Sequence, residues 1–207
     1  AAAALKHGYQ VCVHAIGDRA NREALDAFEA AGAKDARFRI EHAQCVAPAD
    51  IPRFAKLGVI ASMQPTHATS DMRWAEERVG KERLKGCYAW RRLLESGARL
   101  AGGSDFPVEG ENPLLGFYAA VTRQDEAGKP EGGWIPDQRL TRDEALRLFT
   151  LDAATAAFEE NVKGSIAPGK YADFVILSAD IMKVPAAEIL KTQVERTVIA
   201  GEVVYAR

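Results

Sequence analysis

Short apolar runs alternate with amphipathic stretches along this chain, and the alternation predicts a repeated strand and helix unit. Residues 10–14, 37–41 and 59–62 read as buried strands, and so does Arg99-Leu100-Ala101-Gly102. Between them, residues 21–31 carry Ala24, Leu25, Ala27 and Phe28 at helical spacing, with Gly32 placed to end the helix. Residues 48–57 form a second amphipathic helix, with proline in its first turn and Gly58 behind it. A third covers residues 87–96 and stops at Gly97. Residues 63–78, without a usable period, read as a long loop, and loops of that length are often functional. Four such units in succession predict an α/β fold with parallel strands and right-handed crossovers.

The pattern changes further on. A helix is expected over 113–126, followed by a Gly- and Pro-rich loop over 128–136. Thr141 and Glu144 form a capping box ahead of Leu146, Leu148 and Phe149, and a further helix covers 152–158. Residues 164–170 are a turn and 173–177 a strand, while 194–200 and 202–205 pair as a hairpin about Gly201. This tail is a small β element. At the other end, residues 1–8 read as the last turns of a helix closed by Gly8.

Composition narrows the function classes. A net charge of -2 without basic clusters argues against a nucleic-acid surface. No run of eighteen apolar residues predicts a membrane span. Cys12, Cys45 and Cys87 are odd in number and lack paired spacing, so no disulfide framework is expected and a reducing cytoplasm fits. Cys12, one residue before Val13, is expected to pack in the core.

The candidate chemistry sits where strands give out. His14 ends the first strand and His42 the second, and Asp105 follows the fourth, behind Gly102 and Gly103. Parallel α/β proteins place their chemistry at those carboxyl ends, and two imidazoles with a carboxylate make a metal site. Arg19, Gln44, Gln64, His67 and Arg73 follow the same strand ends and are candidates for substrate contact.

Several stretches, taken in order, carry a family resemblance: Val13-His14-Ala15-Ile16-Gly17-Asp18-Arg19-Ala20, Ile40-Glu41-His42-Ala43-Gln44, Ser62-Met63-Gln64-Pro65, Gly103-Ser104-Asp105-Phe106-Pro107, and the run from Gly164 to Asp173. Through them the chain resembles the amidohydrolase superfamily of metal-dependent hydrolases, in the branch of the N-substituted formamide deformylases. The resemblance implies a (β/α)₈ TIM-type barrel joined to a β-sandwich built from both chain ends. On that template His14 ends barrel strand five and His42 strand six, the Gln64 segment is strand seven, and Asp105 ends strand eight. The family's first-strand His-x-His pair has no counterpart among His7, His14, His42 and His67. The resemblance therefore implies the C-terminal half of the barrel over residues 1–160 and a sandwich segment over 161–207. The natural protein is expected to be longer, and these 207 residues to be a fragment that lacks part of the metal site and is inactive alone. The open barrel edges then need a partner, either the missing N-terminal half or a second copy.

The same resemblance implies hydrolysis of carbon-nitrogen bonds other than peptide bonds in a small-molecule substrate, with one or two divalent ions, zinc by ligand chemistry. His14, His42 and Asp105 would hold metal. In a mononuclear site His14 would bind and His42 would touch the substrate oxygen. Asp105 would move the proton of the attacking water to the leaving nitrogen. Two other readings stand beside this one: a catalytically silent scaffold, and a barrel lyase or isomerase using the same ligands.

Overall fold

A computed structural model describes residues 1–34 and 36–207. It opens with helix α1 (Ala2–Lys6). Gly8 at φ 73° ends α1, and the Tyr9 amide donates back to the Ala4 carbonyl at 2.9 Å. Strand β1 (Cys12–Ala15) leads into α2 (Asp18–Ala30), β2 (Arg39–His42), α3 (Ile51–Leu57) and β3 (Ile60–Met63). Two helices follow, α4 (Pro65–Asp71) and α5 (Ala75–Leu84), then α6 (Trp90–Glu95) and β4 (Arg99–Gly102). Helices α7 (Pro113–Thr122), α8 (Arg142–Phe149) and α9 (Leu151–Ala156) complete the larger layer. The chain ends in β5 (Phe174–Leu177), α10 (Ala186–Ile189), β6 (Val194–Ile199) and β7 (Glu202–Ala206).

Strands β1 to β4 pair in parallel and in chain order, with Ala15 opposite His42 and Met63 opposite Gly102. Strict alternation gives the sheet two faces. Ala15, Ile40, Ala61 and Leu100 point to the helices and join Leu25, Phe28, Phe38 and Phe54 in one buried core. Phe28 and Phe38 meet edge to face, with ring centroids 5.0 Å apart. Each such fully buried side chain contributes about 1.5–3 kcal/mol. The other face carries Cys12, His14, Arg39, Glu41, Ser62 and Arg99, and Ile60 and Ala101 pack there on Ala156 of α9.

Helix α9 closes the amino ends of the strands. The Ala156 carbonyl accepts from Gln10 Nε2 at 2.8 Å and from Arg39 Nη1 at 3.3 Å. Arg37 grips both carboxylate oxygens of Glu160, at 2.7 and 3.0 Å, and stacks on Phe158. The antiparallel sheet β5-β6-β7 pairs separately from the parallel one, and Ile181 and Ile189, on the connection from β5 to β6, join the core.

Three expectations need correction. Residues 63–78 are mostly helical: α4 is held by buried Pro65, Ala68 and Thr69, and α5 follows with a break at Gly80, φ 76°. Cys45 and Cys87 form a disulfide, across an antiparallel bridge between the segment after β2 and the one before α6. Those segments, 42 residues apart, meet only in three dimensions, so spacing could not pair them. With the pair bonded, the cysteine count no longer points to a reducing compartment. Cys12 is exposed, because a period of two puts it on the same face as His14.

Candidate metal centre

Parallel pairing in chain order brings the carboxyl ends of β1, β2, β3 and β4 to one rim. His14 is exposed on the open face of β1, and its ring lies edge-on to that of His42, centroids 4.5 Å apart. His42, the last residue of β2, is buried at φ 74°, and this left-handed backbone turns its side chain off the strand's alternation. Gln64, leaving β3, orients it. The Gln64 amide nitrogen donates to the Ser62 carbonyl at 3.3 Å, which directs its Oε1 to His42 Nδ1 at 2.8 Å. His42 Nδ1 is therefore the donor of this bond, and in the neutral ring that leaves Nε2 as the acceptor.

His67 lies in the first turn of α4 and stacks on His42, with centroids 5.7 Å apart. Its Nε2 is buried without a hydrogen-bond partner, 3.8 Å from Asp105 Oδ2. Burial pushes the His67 imidazole below its usual range. The Glu109 carboxylate pulls it back, His42 pushes it down again, and Asp105 and Asp71 pull upward. The result favours a neutral ring, the form that ligates metal. Asp105 sits past Gly103 at φ 60°, also left-handed, with its side chain 39% exposed. Such backbone costs energy in a residue other than glycine and concentrates at functional sites.

One ligand atom each from His42, His67 and Asp105 lies within 4.8 Å of the others. An orphaned imidazole nitrogen beside a second imidazole and a carboxylate suits a zinc-like ion in chemistry, so these residues fit the metal that the sequence implies. Of the strand-end residues singled out above, the structure brings His42 and Asp105 together with His67 and sets His14 against His42. Arg19 lies on the exposed side of α2, paired with Glu23 at 2.8 Å. Arg73, 76% exposed, lies 4.0 Å from Asp125 and lines a cavity of about 510 Å³ between α4 and α7. The Gln44 amide is committed to Asp71 and Tyr88, both at 2.6 Å. The sequence marks Tyr88 only as a packing aromatic and gives Asp71 no role. The signal for Asp71 is its position four residues after His67, which has meaning only once the segment is known to be helical.

The profile of the amidohydrolase family (Amidohydro_3) matches residues 1–205. The chain belongs to the amidohydrolase family. It is 44% identical over 201 residues to Protein LONG AFTER FAR-RED 3 of Arabidopsis thaliana, covering 93% of this chain and 34% of that protein. It is 32% identical over 212 residues to the N-substituted formamide deformylase of Arthrobacter pascens, covering 99% of this chain and 38% of the enzyme. Among solved structures, an uncharacterized metal-dependent hydrolase from Pyrococcus horikoshii superposes with a TM-score of 0.78 at 36% identity, over 88% of this chain and 36% of that one. This amidohydrolase chain thus spans a little over a third of the length of the relatives it matches, and its parallel sheet is that of a barrel-related α/β fold. Among the described residues, no helix of the amidohydrolase chain is long and apolar enough to cross a membrane.

Proposed function

We propose that this amidohydrolase chain carries the metal-binding and proton-transfer residues of a hydrolase acting on carbon-nitrogen bonds other than peptide bonds, in small amides, formamides or cyclic amides. The observation that carries the reading is the meeting of His42, His67 and Asp105 at one rim, with the buried His67 Nε2 left unpartnered. The relative that deformylates N-substituted formamides supports the bond type.

In this reading His14, His42 and Asp105 are ligands for one or two zinc ions, and His67 is a further donor within reach. A divalent ion, when bound, lowers the pKa of its water from about 15.7 toward 7. The chain's own residues do the rest. Gln64 fixes the His42 tautomer, and Asp105, on the exposed side of the cluster, accepts the proton of the attacking water and hands it to the leaving nitrogen. Arg73 is assigned to substrate contact, and the committed amides of Gln44 and Gln64 make both holding residues. Residues 1–160 are assigned to barrel strands five to eight and 161–207 to the sandwich. Strands β1 and β4, each paired on one side only, are assigned to further barrel strands or to a second copy.

The test is Asp105→Asn in the zinc-loaded full-length protein, measured as release of formate, amine or ammonia from a panel of formamides and amides. Turnover should fall at least about 100-fold with the melting temperature unchanged. A variant as active as wild type would refute the assignment.

A further inference from the structure

Behind the candidate ligands lies a buried polar cluster to which the proposed reaction gives no part. Three segments from two crossovers meet in it: Gln44, two residues after His42; and, from the connection between β3 and β4, Asp71, one helical turn after His67, and Tyr88, just before α6. The Tyr88 hydroxyl donates to Asp71 Oδ2, in a short hydrogen bond, and Gln44 Nε2 donates both to the same oxygen and to the Tyr88 hydroxyl, each at 2.6 Å. Tyr88 is itself pinned. Its amide donates to the Gln44 carbonyl at 2.6 Å, and its backbone is held left-handed at φ 50°. Its carbonyl accepts from Arg123 Nη1 at 3.1 Å. Arg123 is fully buried with no carboxylate paired to it among the described residues, and its guanidinium stacks over Trp90 at 4.2 Å and Trp134 at 5.2 Å. Burial keeps the Tyr88 phenol protonated, so it stays a donor to Asp71.

We infer that Tyr88 is a positioning residue, whose hydroxyl ties α4 through Asp71 to the Gln44 segment and so sets His67 against His42. The inference rests on the metal-site reading given above. Its geometric basis is the helix itself. Helix α4 has seven residues and no side-chain cap, too short to hold its own place. His67 and Asp71 are four apart and share a face, so a restraint on Asp71 fixes the angle at which His67 is presented. The partner of that restraint, Gln44, is two residues from His42, so one small triangle of hydrogen bonds governs both rings.

The experiment compares wild type with Tyr88→Phe, which removes the hydroxyl alone, and with Ile189→Val in α10 as a control that lowers stability elsewhere. Two measurements are made on the full chain: Co²⁺ titration followed by its visible absorption, and the His67 imidazole resonances of the metal-free protein. Tyr88→Phe should weaken Co²⁺ binding about 10- to 100-fold, alter the absorption band and move the His67 resonances. Ile189→Val should lower the melting temperature and change none of these. Wild-type band, affinity and His67 resonances in Tyr88→Phe would overturn the inference. If Tyr88→Phe does not fold, Asp71→Asn, which keeps the side-chain shape, is read in the same way. A wild-type chain that takes up no Co²⁺ refutes a metal site formed by His42, His67 and Asp105 alone, and the His67 resonances then decide the positioning role.

Discussion

The two ends of the parallel sheet use the same kinds of residue in opposite ways. At the amino ends several polar groups are paired: Arg37 holds Glu160 with two hydrogen bonds, Arg39 pairs with Glu41 at 2.8 Å, and Gln10 reaches the carbonyls of Arg37 and Ala156. At the carboxyl ends the His67 Nε2 has no partner, and Asp105 stands 3.8 Å from it, beyond hydrogen-bond range. A satisfied buried polar group adds to stability, and an unsatisfied one costs free energy unless a ligand meets it. The difference separates a floor that holds the sheet from a rim that is open to chemistry.

The sharpest break of this contrast is His67→Ala. It should weaken Co²⁺ binding about 100-fold, roughly 3 kcal/mol, while thermal unfolding stays within about 1 kcal/mol of wild type, since no protein hydrogen bond to that ring nitrogen is lost. Titration calorimetry beside a melting curve reads both. Arg37→Ala should do the reverse. Loss of its grip on Glu160 and of its stacking on Phe158 should cost about 2 kcal/mol in urea unfolding, with Co²⁺ affinity unchanged.

The smallest effect is an acid one. Two hydrogen bonds from Arg91 hold the Glu144 carboxyl down to about 2, against an ordinary 4.5; burial opposes this, and Thr141 assists. A carboxyl depressed in the folded state stabilises fully above its unfolded value. The contribution should therefore be present above pH 4.5 and fade as pH falls toward 2. With the Glu144 side chain 31% exposed, it amounts to about 1 kcal/mol. Urea midpoints taken across that range should decline in wild type, and Glu144→Gln should flatten the decline.

What the sequence made legible was local. The exits of α2 and α6 were written in Gly32 and Gly97, both of which take positive φ, and the start of α8 in the capping box of Thr141 and Glu144. Each strand lay within two residues of its expected bounds, because apolar runs between glycines have few other places to go. Helix α4 was illegible for the opposite reason: Thr66, His67, Thr69, Ser70 and Asp71 give it no apolar period, and contacts with α7 make it helical. With α4 unread, neither the approach of His67 to Asp105 nor the link from Asp71 to Tyr88 could be foreseen. His42 and Asp105 were found because a strand end is a local signal, whereas the meeting of Cys45 with Cys87 depends on two distant loops.

The left-handed backbone of Asp105 has a meaning for selection. At φ 60° a glycine would rest more comfortably than any side chain with a Cβ, by a free energy on the order of 1 kcal/mol. Selection for thermal robustness alone would drift toward glycine at this position. The aspartate at this position carries a cost in stability that the proposed work of its carboxylate would offset.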